Sequence, residues 1–195
     1  TSLQIVALST SQYQAMTPAQ LSVLTTSQIS NIEVADLQAI AASDSQIQSL
    51  SSTQLGALST QQVSTLFALS SLGLTSKQVA VISTAALSAL TTDQINHLSS
   101  AQVQGLTTNQ VAALSSTQIN SLPADLLQAL SSANIAAIPT STLAAITPAQ
   151  ISNFTSSQID SLTSAQIVAL TSDQIGNLTS QQVSGLGGGG VALLS

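Results

Sequence analysis

Cysteine and tryptophan are absent from this sequence, and Lys77 is its only Lys or Arg. Without cysteine there can be no disulfide framework, a state shared by cytosolic proteins and by many secreted bacterial ones. One basic residue against seven acids gives a net charge of -6. Nothing is therefore available to neutralise a run of phosphates, which excludes nucleic acid as a partner, and the same shortage argues against electrostatic docking on an anionic membrane. No apolar run approaches the ~18–20 residues needed to cross a bilayer. Aromatic residues are reduced to Tyr13, Phe67 and Phe154, so any core has to be built from Leu, Ile, Val and Ala. The chain starts at Thr1 without Met or an apolar leader, and the expectation is a processed product or a piece of something longer.

What is present is a repeat. Of the 195 residues 44% are hydrophobic and only 4% charged, far from the usual globular mix. Aligned on glutamine, the chain divides into octads such as TPAQLSVL (17–24), TTSQISNI (25–32), TTDQINHL (91–98), TTNQVAAL (107–114) and TSAQIVAL (163–170). The consensus is [TS]-[TSP]-x-Q-[IVL]-x-x-L, and 24 such units with two extra residues in AASDSQIQSL (41–50) and a final Ser195 account for the whole sequence as a single array.

Position 8 is apolar in all 24 octads, position 5 in 23 with Ser71 as the exception, and position 4 is Gln in 17. Positions 5 and 8 differ in parity, so a strand would send them to opposite faces, whereas a helix places residues i and i+3 on one face. The first four positions read as a capping box: a Ser or Thr N-cap accepts from the N3 amide while Gln at N3 reaches back to the N-cap N–H. Pro18 and Pro148 stand at position 2, the N1 site that proline prefers. Pro123 and Pro139 stand at position 1, where they end the preceding helix without offering a capping oxygen. One continuous helix is excluded, because an eight-residue period would rotate the apolar stripe by about 80° per octad. The expected fold is therefore all-α, a solenoid or superhelix of very short helices of about two turns, one per octad, with a β-solenoid as the structural runner-up. Helices that short need neighbours to be stable.

Departures from the consensus mark expected irregularities. AASDSQIQSL (41–50) carries two extra residues and FALSSLGL (67–74) lacks both cap and Gln, so the winding is expected to adjust there. PADLLQAL, SSANIAAI and PTSTLAAI (123–146) lack Gln at position 4 but keep both apolar positions. The Gly-rich segment 187–195 reads as an array end, a hinge or a junction.

The run of [TS]-x-x-Q-[IV]-x-x-L units resembles the octapeptide arrays of large secreted or surface-attached bacterial proteins, often adhesin-like. The resemblance covers nearly the whole chain and implies a structural role at the cell surface without any site. TPAQLSVL and TPAQISNF are also similar to the first repeat helix of bacterial TAL effectors, but the likeness ends after eight residues. The second helix, the longer period and the basic residues are missing, so the DNA-reading activity does not carry over.

Chemistry has few candidates. His97, Lys77, Glu33, Asp36, Asp44, Asp93, Asp125, Asp160 and Asp173 are scattered over different octads. Asp93 and His97 are four residues apart, which fits a helix-dipole acid beside a surface histidine. The many hydroxyls have a capping role and lack a base. Glu33 and Asp36 do not make a calcium site, which needs six or more oxygens. Asn153-Phe154-Thr155 and Asn177-Leu178-Thr179 match a glycosylation acceptor pattern that the octad itself produces. Tyr13 and Phe154 read as core fillers and Phe67 is left unassigned.

The sequence thus leads to an expectation of no enzyme and of no catalytic, cofactor or metal residues. It points to an extracellular structural repeat protein, either a self-assembling filament or sheath subunit or an adhesin stalk, whose partners are further copies of itself or cell-surface and matrix components. The alternative is a binding solenoid that recognises a glycan, a protein or a crystalline surface through its Ser/Thr/Gln face. The chemical variety of the outward positions 3 and 6 weakens that alternative.

Overall fold

The computed structural model describes residues 2–68 and 73–186. The segment 69–72, which includes Ser71 and half of the irregular octad 67–74, and the Gly-rich segment 187–195 lie outside the described residues. Twenty-two α-helices and no strand occur among the described residues, so the β-solenoid is set aside. Two compact units, Thr1–Gly105 and Leu106–Ser195, divide the chain, and the same octad architecture builds each of them.

A single local grammar makes most of the helices. In the octad TSAQIVAL, Thr163 is extended at φ -70°, ψ 158°, and its hydroxyl accepts the Gln166 N–H. The Gln166 Oε1 accepts the Thr163 N–H in return at 2.8 Å. The helix Ser164–Val168 follows, and Ala169 closes it while still in the αR region at φ -82°, ψ -9°. The N–H of position 8 then reaches back to the position 5 carbonyl, as Leu170 does to Ile167 at 3.2 Å. Most helices are thus five residues between caps, about one and a half turns, because this i→i−3 bond tightens the end. Position 8 is the cap and is extended at two joints, at φ -62°, ψ 130° for Leu122 and φ -64°, ψ 134° for Leu130. At these joints two successive extended residues, Leu122 with Pro123 and Leu130 with Ser131, make the corner, and no glycine in a left-handed conformation is needed.

Pro18 and Pro148 occupy the first helical turn after Thr17 and Thr147, as the sequence required. Pro123 and Pro139 stand at the N-cap without a side-chain cap bond.

Helices stack at a fixed interval of three octads. In the second unit Thr108–Ala112 packs on Ser132–Ala136, that helix on Ser156–Asp160, and that one on Ser180–Gly185. In the first unit Thr10–Gln14, Val34–Ala41 and Thr60–Phe67 form a column that continues to Thr84–Ser88. The three-octad interval from 60–67 to 84–88 holds across the irregular octad. Each unit is therefore an all-α solenoid with three octads per turn, a number the repeat alone left open.

The two extra residues of 41–50 are absorbed locally. Within the regular stretch, Gln158 bonds to carbonyls 31 and 28 residues earlier. Across the insertion, Gln54 bonds to carbonyls 33 and 30 residues earlier. Both offsets grow by two, so position 4 still meets positions 5 and 8, and the surplus goes into the eight-residue helix Val34–Ala41.

The core is the sum of positions 5 and 8. Leu21, Ile29, Leu87, Val111, Ile119, Leu127, Ile135, Leu143 and Ile151 at position 5 are fully buried. Tyr13 and Phe154 are buried in the same stripe, as read from the sequence. Phe67 is buried too, as the last residue of Thr60–Phe67, a helix that its octad extends.

Candidate functional site

The residues singled out for chemistry stay apart or turn to local tasks. Glu33 is an exposed N-cap with no side-chain cap bond. Asp36 is buried and accepts the Thr10 hydroxyl at 2.7 Å. Asp44, Lys77, Asp93, Asp125, Asp160 and Asp173 are exposed, as is His97, whose main-chain N–H donates to the Asp93 carbonyl at 3.2 Å. No group of three or more His, Cys, Asp or Glu able to hold a metal ion occurs among the described residues. The Tyr13 hydroxyl donates to the Ile5 carbonyl at 2.6 Å. Burial pushes its pKa up to about 12, helped by the negative charges of Asp36 and Glu33. Asn153 donates its amide to Gln150 Oε1 and Asn177 to the Asp173 carbonyl, so both acceptor-pattern asparagines serve the helix ends.

The feature that the structure does bring together is a belt of glutamine amides between turns. The inner Gln residues have two tasks. In the regular octads the Oε1 of each caps its own helix, and its Nε2 donates to the end of the helix four octads earlier. Gln158 donates to the Leu127 and Leu130 carbonyls at 2.9 and 2.8 Å. Gln166 donates to Ile135 and Ile138 at 2.9 and 2.8 Å. Gln174 donates to Leu143 and Ile146 at 2.8 and 2.7 Å. In the first unit Gln54, Gln62 and Gln78 repeat the pattern on Leu21 and Leu24, Ile29 and Ile32, and Ile47 and Leu50. The position 5 carbonyls also hold the position 8 N–H, whereas the position 8 carbonyls lie past the helix C-terminus and take the amide as their partner. All six amides sit at 6% exposure or less, in a dry environment where an unmet carbonyl is costly.

Sequence reasoning found the capping half of this arrangement and missed the other half. A signal was present: a capping box accepts Glu or Gln equally well, yet position 4 holds 17 Gln and not one Glu. Only the amide carries a donor for the neighbouring turn. Asn134 in SSANIAAI shows the same dual use with a shorter side chain, capping Ser131 and donating to the Leu106 carbonyl at 3.1 Å. Where the octad has Leu126 or Ala86 instead, the position is buried and apolar.

Position 6 adds a second link. Asn120 and Gln128 donate to the carbonyls of Ala145 and Asn153 at 3.1 Å, 25 residues ahead. Gln48 does the same to Gly73 at 2.7 Å. Position 7 sets how closely turns approach: at Gly185 a Cβ would stand 2.8 Å from the Ser156 carbonyl, beside a shallow notch lined by Ser157, Asp160 and Ser184.

For the first and the last octads the partner turn falls outside the described residues. Gln12, Gln20 and Gln28 cap their helices through Oε1 at 2.7, 2.8 and 2.8 Å, but their Nε2 meets no acceptor among the described residues. The carbonyls of Leu162, Leu170 and Leu178, which match those of Leu130, Ile138 and Ile146, accept no amide among the described residues.

Among curated proteins no match is found. The ALTTAQ repeat family matches residues 96–124 and 153–180, each stretch a little longer than one three-octad turn. Its six letters correspond to positions 7, 8 and 1 to 4 of the octad, the corner and cap that GLTTNQ (105–110) and SLTSAQ (161–166) spell out here. In these two stretches the chain is similar to that family of repeats.

Proposed function

We propose that the chain is a structural repeat protein of the bacterial exterior, a subunit of a self-assembling filament or sheath or the stalk of an adhesin, with no catalytic role. The observation that supports this reading is the amide belt. Each turn presents the donors that the previous turn's helix ends require, so every turn is a template for the next. The polar side chains that would otherwise build a site are engaged in caps and inter-turn bonds, as Thr163, Gln166 and Asn120 are. A surface of Ser, Thr and Gln with 4% charged residues supplies little repulsion between chains. Octads similar to a repeat family fit a role in which length and regularity matter more than any single residue.

Negative-stain electron microscopy of the purified chain at increasing concentration tests it. Regular filaments or sheets that lengthen with concentration support the subunit reading. Isolated particles at every concentration overturn that reading and direct the search to an anchored stalk.

A further inference from the structure

We infer that octad 107–114 is a yielding joint of the second unit, which opens away from octads 131–146 in local fluctuations while octad 115–122 beside it stays closed. The contrast between these two octads carries the inference, because their own helices are built alike. Thr107 and Ser115 each head a complete capping box. The N–H groups of Val111 and Leu114 donate within their octad at 3.0 and 3.1 Å, and those of Ile119 and Leu122 within theirs at 3.0 and 3.2 Å. All four side chains are buried.

What differs is the tie to the following turn. Octad 115–122 receives the Gln150 amide on the Ile119 and Leu122 carbonyls, both at 2.9 Å. It also sends Asn120 forward, whose Nδ2 donates to the Ala145 carbonyl at 3.1 Å and whose Oδ1 accepts the Thr147 N–H at 2.8 Å. Octad 107–114 has neither tie to octads 131–146. At the place that matches Gln150 stands Thr142, whose short side chain makes no hydrogen bond among the described residues. The carbonyl of buried Leu114 accepts no hydrogen bond among the described residues, and octads 107–114 and 139–146 are described throughout. Ala112 stands where Asn120 stands and offers no donor. Pro139 heads the facing octad without a side-chain cap bond. Asn134 on the Leu106 carbonyl at 3.1 Å and the packing of Thr108–Ala112 on Ser132–Ala136 hold this place together. A segment held mainly by apolar contact, with a buried carbonyl that water satisfies on opening, opens at lower cost than one tied by amides. Such a joint lets the coil give at one octad without unwinding the next.

Hydrogen exchange of the native chain, followed amide by amide with nuclear magnetic resonance, tests the joint. After correction for intrinsic rates, the Val111 and Leu114 amides are expected to exchange about tenfold faster than those of Ile119 and Leu122, the factor that one missing buried hydrogen bond implies. The double change Pro139→Thr, Thr142→Gln restores the octad consensus and supplies the amide. It should slow exchange at Val111 and Leu114 by about tenfold and leave Ile119 and Leu122 unchanged. Gln150→Thr makes the opposite change at the neighbouring octad and should speed exchange at Ile119 and Leu122 by about the same factor. It decides the matter alone if the double variant does not fold. Equal protection of the two octads in the wild-type chain overturns the joint. So does protection of Val111 and Leu114 that the double change leaves unaltered, or protection of Ile119 and Leu122 that survives Gln150→Thr.

Discussion

Changing Gln158 to Glu separates the two tasks of the octad glutamine. Glutamate still offers an oxygen to the Thr155 N–H, so the capping box survives. What disappears is the donor to Leu127 and Leu130. The Leu127 carbonyl keeps the Leu130 N–H at 3.2 Å, but the Leu130 carbonyl loses its side-chain partner while buried. One lost hydrogen bond and one unmet buried carbonyl amount to about 2–4 kcal/mol, and a carboxylate held against carbonyl oxygens adds to this at neutral pH. The same change at Gln20, where Nε2 meets no acceptor among the described residues, is expected to stay within about 0.5 kcal/mol. The pH dependence supplies a second check. Burial raises the new carboxyl above its unfolded value of about 4.3, so between that value and the folded pKa the native state binds more protons than the unfolded one. Stability of Gln158→Glu must then fall as pH rises through this window, and be best below it, where the neutral acid can donate to Leu130. Gln158→Leu loses the same bonds with no such pH dependence. Urea titrations followed by far-ultraviolet circular dichroism at several pH values measure all three. Equal costs for Gln158→Glu and Gln20→Glu, or a Gln158→Glu penalty that does not change with pH, would refute the role of the amide.

The remaining expectations concern packing, caps and titration. Gly105→Ala places a methyl against the Ser76 carbonyl and should cost about 1–3 kcal/mol, whereas Gly176→Ala, with nothing within 4 Å, should stabilise by about 0.5–1 kcal/mol through helix propensity; thermal unfolding of both variants reads the difference. Thr163→Ala removes a cap acceptor and should cost about 1 kcal/mol, visible as a lower urea midpoint and faster amide exchange at Gln166. With its pKa raised to about 12, Tyr13 ionises in the unfolded chain first, so its contribution is intact below about pH 10 and is lost as pH rises toward 12. Tyr13→Phe should abolish that alkaline decline and cost about 1 kcal/mol near neutrality, as pH-resolved thermal melts would show.

The octad was legible because its determinants are local. A hydroxyl, an amide three residues on and two apolar residues three apart specify a capped helix within eight residues, and Thr163 to Leu170 realise that specification without help from elsewhere in the chain. Helix type, its start, the inward stripe and the roles of all four prolines followed from these short-range rules. Candidate chemistry was legible in the same way, as scattered acids and one histidine that no spacing brings together. Tertiary structure decided how many octads close a turn. Corner geometry at positions 8 and 1 and the fit of small position 7 residues such as Gly185 on Ser156 set that number, and no eight-residue window contains both partners. It also decided the acceptors of each glutamine amide, which lie 28 to 33 residues away and become neighbours only when the coil winds. The choice of Gln over Glu was written in the sequence, but its reason lies in the preceding turn, whose buried helix-end carbonyls need a donor that a carboxylate lacks.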